Sequence, residues 1–197
     1  MTALDNWDDM LWHEIPFVAL DTETTGLGPE DRIVQIAFSS FYDDGLRTKK
    51  WLVYPGRSIP APASAVHGIT DDMVRNAPTF SEILDEVLEE LNRAPWVAHN
   101  MPFDSKMLAK EIPRERWPRG IPTLCTLSYA RTRHPDTRYR RRHKLADLAN
   151  AFAQDYKTAS LHDAGYDAEI LAHITHRMMR DLSVGKHMTK FSEDWLK

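Results

Sequence analysis

Asp21 and Glu23 stand two residues apart in FVALDTETTG, residues 17–26, where an apolar run passes into an acidic, hydroxyl-rich turn. Alternate side chains of an extended strand share a face, so both carboxylates point the same way, ~6.5 to 7 Å apart along the chain. Neighbouring carboxylates repel, and a hard divalent cation such as Mg2+ or Mn2+ between them keeps both ionised near neutral pH. By themselves they also fit an ordinary strand end in which Gly26 supplies a positive φ.

Other residues extend the pattern. Asp104 follows WVAHNMPF, directly after a buried-looking strand, where an acid also favours a helix N-terminus. Asp167, in SLHDAGYDAEILAHI, falls on a helix side with Ile170, Leu171 and Ile174 at the next core-facing positions. An Asp on an apolar stripe needs a partner. His162 precedes it by five residues, about 140° around a helix, so it is expected just before the helix rather than in it. From there it can deprotonate a water, and an ordinary pKa near ~6.5 suits a general base. It is one of nine histidines, and a plain helix-entry role is the alternative.

The elements that position these residues follow from periodicity. Residues 15–20 (IPFVAL) and 32–40 (RIVQIAFSS) read as strands, the second placing Val34, Ile36 and Phe38 on one face by alternation. Residues 49–54, closed by Pro55-Gly56, complete a meander with short links. Thr79-Phe-Ser-Glu82 has capping-box spacing, and Ile83, Leu84, Val87, Leu88 and Leu91 follow at helical intervals to about Asn92. A strand at 95–98 leads to a helix with Pro102 in its first turn and Phe103, Met107 and Leu108 turned inward. A strand at 121–124 and helical segments at 124–131, 144–153 and 163–180 follow. Strands first, then alternating β and α, imply an α/β domain whose sheet mixes an antiparallel meander with parallel strands.

A chain of 197 residues, 42% hydrophobic, supports the core of one ordinary domain. A net charge of −4 argues against binding nucleic acid through global charge, which leaves a local patch. The run RTRHPDTRYRRRHK, residues 131–144, supplies Arg131, Arg133, Arg138, Arg140, Arg141, Arg142 and Lys144 with Tyr139 interleaved. It reads as a phosphate-tracking surface or as a solvated loop. Cys125 is the single cysteine, so no intramolecular disulfide forms and a reducing compartment is expected. The acidic start MTALDNWDDMLWHE lacks a secretory pattern, and no apolar stretch approaches ~20 residues. A cytoplasmic protein without membrane association is expected.

DTETTG, HNMPFD and HDAGYD, in that order, resemble the three motifs of the DEDD 3′-to-5′ exonucleases, the group that contains polymerase proofreading exonucleases. HDAGYD has the HxxxxD form of the histidine branch; the tyrosine branch has YxxxD, and position 163 is Asp. VHGITDDMV, residues 66–74, resembles a segment that follows the meander in these enzymes, so the likeness spans roughly residues 15–182. PTLCTLSYAR adds to a similarity with bacterial exodeoxyribonuclease X-type and polymerase III epsilon-type enzymes.

The resemblance implies a ribonuclease H-like fold with a central mixed five-stranded sheet flanked by helices, and two divalent ions, Mg2+ or Mn2+. Asp21, Glu23, Asp104 and Asp167 match the acidic metal-binding set, and His162 the catalytic histidine. Water deprotonated by His162 would attack the terminal phosphodiester in line while an ion stabilises the departing 3′ oxygen, releasing a nucleoside 5′-monophosphate. Thr24, Leu27, Val66, His67 and Phe103 would hold the terminal nucleotide, although each also fits a packing role, and Arg138 and Arg140 would meet phosphates. His67 also fits a turn-stabilising role, and His99 is expected to be packed rather than catalytic.

One domain is expected over 1–182, with 183–197 as a tail or short docking helix; Gly165 is a departure, costing ~1 kcal/mol relative to Ala early in a helix. The expected substrate is a single-stranded 3′ end, DNA favoured, with a polymerase or repair partner. An exoribonuclease of the same fold, or a non-catalytic polymerase-accessory module, are the alternatives. Loss of Asp21, Glu23, Asp104, Asp167 or His162 would favour the module, and all five are present.

Overall fold

The computed structural model describes residues 16–133, 143–152, 162–180 and 189–190. Three strands open the fold as an antiparallel meander: β1 (Val18–Thr24), β2 (Ile33–Tyr42) and β3 (Gly45–Leu52). Two short helices, α1 (Ala61–His67) and α2 (Asp71–Val74), precede α3 (Leu84–Leu91). Then come β4 (Trp96–Ala98), α4 (Met101–Glu111), β5 (Pro122–Cys125), α5 (Thr126–Arg133), α6 (Leu145–Phe152) and α7 (Ala164–Arg180). The mixed sheet runs β3-β2-β1-β4-β5, with β4 parallel to both β1 and β5. A two-residue strand, β6 (Thr189–Lys190), in the segment expected as a tail, pairs antiparallel with the β5 edge.

Alternation along β1 sorts its side chains between two helical layers. Val18 and Leu20 pack with Leu84, Val87, Leu88 and Leu91 of α3 and Met107 and Leu108 of α4. Phe17 and Ala19 pack on the other face with Ile170, Leu171, Ile174 and Met178 of α7. Full burial of each such Leu or Ile contributes roughly 1.5–3 kcal/mol. Helices on both faces explain why β2 is buried from Ile33 to Ser40 on both sides, beyond the Val34, Ile36 and Phe38 face picked out by alternation. The second face carries Gln35, Ala37 and Ser39, small or polar residues that let α7 lie close.

Several boundaries differ from the sequence reading. β1 extends through Thr24, so Asp21 and Glu23 lie within the strand, still paired with Ala37 and Gln35 of β2. β3 begins at Gly45, because Tyr42 pairs directly with Gly45 across a two-residue turn in which Gly45 takes φ 128°. Glu82 accepts from both the backbone N–H and the hydroxyl of Thr79, at 2.7 Å each, and α3 starts only at Leu84. Gly26 is not in the left-handed region; a Cβ there would stand 2.6 Å from Asp31 Oδ2, so glycine serves close approach. Asp31 ties that turn by accepting from the Thr25 hydroxyl and the Gly28 N–H, each at 2.7 Å. Among the described residues no helix is long and apolar enough to cross a membrane.

Candidate active site

The sorting that builds the core also builds the site. At the end of β1 the odd residues Asp21 and Glu23 continue the face covered by α7, whose first turn carries Asp167. The even residue Thr22 continues the face covered by α4, and its hydroxyl donates to Asp104 Oδ1 at 2.8 Å. The pairing of β1 with β2 shifts register between Glu23 and Thr24, an irregularity of the kind that re-aims side chains beside active sites. Asn100, at φ 82°, turns the chain from β4 into α4 and places Asp104 in that helix's first turn. All four carboxylates line one cleft of about 520 Å³.

His162 lies outside α7, as the angular argument requires, exposed and with φ 71°. Its backbone N–H donates to Asp167 Oδ2 at 3.1 Å, and the residue lines the cleft. Donor atoms of Glu23, His162 and Asp167 all fall within 4.8 Å of one another.

Burial, with like charges close by, governs the electrostatics. Asp21 is raised well above the ordinary carboxylate range, first by burial and then by repulsion from Asp104, Asp167 and Glu23. Glu23 is pushed up to about 8, by burial and then by Asp167 and Asp104. Burial raises Asp104 to about 7 against the opposing Thr22 hydrogen bond, and Asp167 to about 6 against the His162 N–H. Asp167 Oδ1 is buried without a hydrogen-bond partner. An orphaned carboxylate oxygen among crowded acids fits a hard divalent cation, which would satisfy the oxygen and offset the repulsion.

The exonuclease family model RNase T matches residues 18–175. The chain belongs to this exonuclease family. DNA polymerase III subunit epsilon of Treponema pallidum (strain Nichols) is 33% identical over 168 residues, covering 84% of this chain and 77% of that protein. The same subunit of Rickettsia conorii (strain ATCC VR-613 / Malish 7) is 32% identical over 171 residues, 82% and 73% of the respective chains. Among solved structures, Exonuclease X in complex with 5′ overhanging duplex DNA has 26% identity and a TM-score of 0.62, over 86% of this chain and 92% of that one. The nuclease domain of 3′hExo, a DEDDh family member bound to rAMP, shares the fold at 20% identity, TM-score 0.71, over 90% and 97%. The expected ribonuclease H-like fold and 3′-to-5′ exonuclease family are therefore established, and with them an enzyme that hydrolyses phosphodiester bonds.

Within this exonuclease the expected nucleotide-holding residues divide. Phe103 lines the cleft beside Asp104. Leu27, at 80% exposure, and Val66 stand on the surface outside the cleft wall. The Thr24 hydroxyl donates to the Gly26 carbonyl at 2.7 Å. His67 Nδ1 accepts from the Ile69 N–H at 3.0 Å, which leaves the proton on Nε2, 3.3 Å from the Thr24 carbonyl. His67 thus braces the turn after β1. Arg138 and Arg140 lie outside the described residues; the flanking Arg131, His143 and Lys144 line the cleft. His99 also lines it, 3.0 Å from the Thr126 hydroxyl, and burial lowers it to about 4, so the ring is neutral.

Other contributors were not singled out in the sequence. Thr22 lies between the two acids of DTETTG, and its bond to Asp104 spans 82 residues of chain. Asn100 belongs to HNMPFD, whereas Gln35 and Leu145 are joined to the site by tertiary placement alone; Gln35 Oε1 accepts from the buried Ala164 N–H at 2.7 Å, across 129 residues of chain.

Proposed function

We propose that this exonuclease shortens single-stranded DNA stepwise from its 3′ end, releasing nucleoside 5′-monophosphates. The observation that carries the reading is His162, exposed and beside four inward carboxylates in a cleft with cationic residues in its wall. Asp21, Glu23, Asp104 and Asp167 would hold two divalent ions, Mg2+ or Mn2+. Bound there, such ions supply Lewis-acid stabilisation of the attacking and departing oxygens. His162, outside the helix and on the solvent side of Asp167, takes the proton from the attacking water. Asp167 fixes the backbone of that histidine through its N–H. Thr22 orients Asp104. Phe103 offers a flat apolar surface to the terminal base or sugar, and Arg131 and Lys144 meet the phosphates that follow.

DNA is favoured because the similar epsilon subunits are parts of a DNA polymerase and the similar exonuclease X is held with DNA. The name of the epsilon subunits supports a polymerase as partner. A panel of single- and double-stranded DNA and RNA with Mn2+, read by product identification, tests the reading. Fastest release of deoxynucleoside 5′-monophosphates from single-stranded DNA is expected. Equal or faster turnover of RNA would replace DNA with RNA as the substrate.

A further inference from the structure

Gly165, a weak residue for the start of a helix, has a local reason. A Cβ there would stand 2.9 Å from Lys50 Cδ and 3.0 Å from Asp163 Oδ1. Without that atom, the aliphatic stem of Lys50 crosses the first turn of α7, and its Nζ donates to both Asp163 oxygens, at 3.0 and 2.8 Å. Lys50 comes from the edge strand β3, 113 residues earlier in the chain. Asp163 Oδ1 also accepts from the Tyr166 N–H at 3.1 Å, capping the helix. One strand inward, Gln35 holds the Ala164 N–H at 2.7 Å and lies 3.5 Å from Asp163 Oδ2. The first turn of α7 is therefore pinned to two strands of the sheet.

His162 immediately precedes the pinned residue and takes a left-handed backbone conformation that a non-glycine residue holds only when its surroundings enforce it. On one side it is joined to Asp163; on the other its N–H is bound by Asp167. The Lys50 and Asp163 side chains are 42% and 40% exposed, so their pairing adds little to folding. Its consequence is geometric.

We propose that Lys50 is a positioning residue for phosphodiester hydrolysis: through Asp163 it fixes the entry to α7, so that the adjoining His162 faces the Asp21–Glu23 end of β1. The inference rests on the proposed role of His162 as base. Its test is steady-state hydrolysis of single-stranded DNA with Mn2+ by Lys50→Met and Lys50→Arg, with Lys50→Met repeated in a His162→Ala background. Lys50→Met is expected to lower kcat about 10-fold, KM changing by less than about two-fold. Lys50→Arg retains most of the rate, and the melting temperature is unchanged in both. Amide exchange at Ala164 and Asp167 is expected to speed up in Lys50→Met. In the His162→Ala background, Lys50→Met is expected to cost less than about two-fold, because the group it positions is gone. Unchanged kcat in Lys50→Met overturns the proposal. So does an equal fold-loss in both backgrounds, which leaves the base assignment standing if His162→Ala alone is slow. Full activity of His162→Ala overturns the base assignment itself, and the positioning role with it.

Discussion

The Thr22 hydroxyl donates a 2.8 Å hydrogen bond to Asp104 Oδ1, so the residue between the two strand acids orients the acid that a different helix supplies. The bond favours the ionised form of Asp104 and opposes the rise that burial imposes. Thr22→Val keeps the shape and removes the donor, so the Asp104 pKa rises further and protons compete better with a cation. Calorimetric titration with Mn2+ near neutral pH should show affinity weakened roughly 10- to 100-fold. The deficit should shrink at alkaline pH, where Asp104 ionises in either protein.

Metal-free stability carries a pH signature with a definite sign. Asp21, Glu23, Asp104 and Asp167 are all raised in the fold, Glu23 to about 8. Unfolded carboxyls titrate near ~4, so between there and the folded values the native state holds more protons and stability falls as pH rises. Divalent cations replace those protons. Thermal unfolding in chelator is therefore expected to show Tm falling from about pH 5 to about pH 8. Added Mn2+ should raise Tm more at the higher pH. A larger metal-induced rise at the acidic end would contradict the carboxylate cluster as the cation site.

Arg131 and Lys144 stand at the two ends of the basic run and both line the cleft. Replacing either with Ala is expected to raise KM for single-stranded DNA several-fold, leave kcat nearly unchanged, and reduce the log–log salt slope of binding by about 1. Titration at several salt concentrations reads the slope directly. A lowered kcat with the slope intact would place them in orientation rather than phosphate contact.

What the sequence made legible was local. Asp21 and Glu23 share a strand face by period alone, and the five-residue step from His162 to Asp167 excluded the histidine from the helix, as the fold bears out. The meander, the amphipathic α3 and the alternation of later strands and helices were readable for the same reason: each is a pattern within one segment. The partners of these residues were not readable. Gln35 and Ala164 are 129 residues apart, and Lys50 and Asp163 are 113 apart, so nothing in either segment signals the bond. Gly26 misled because glycine has two uses, and here the crowding carboxylate of Asp31 decides between them. The alternation in β2 placed Val34, Ile36 and Phe38 on one face; the burial of its other face comes from helices covering both sides of the sheet.

The most direct measurement follows a 5′-labelled single strand of DNA on a sequencing gel with Mg2+ or Mn2+, for the unaltered protein, Asp21→Ala and His162→Ala. Stepwise shortening from the 3′ end is expected, stopped by chelator, abolished in Asp21→Ala, and slowed about 10²- to 10⁴-fold in His162→Ala with folding intact. A label lost at the first step, no shortening at all, or shortening that persists unchanged in Asp21→Ala would contradict a metal-dependent 3′-to-5′ exonuclease built on these carboxylates.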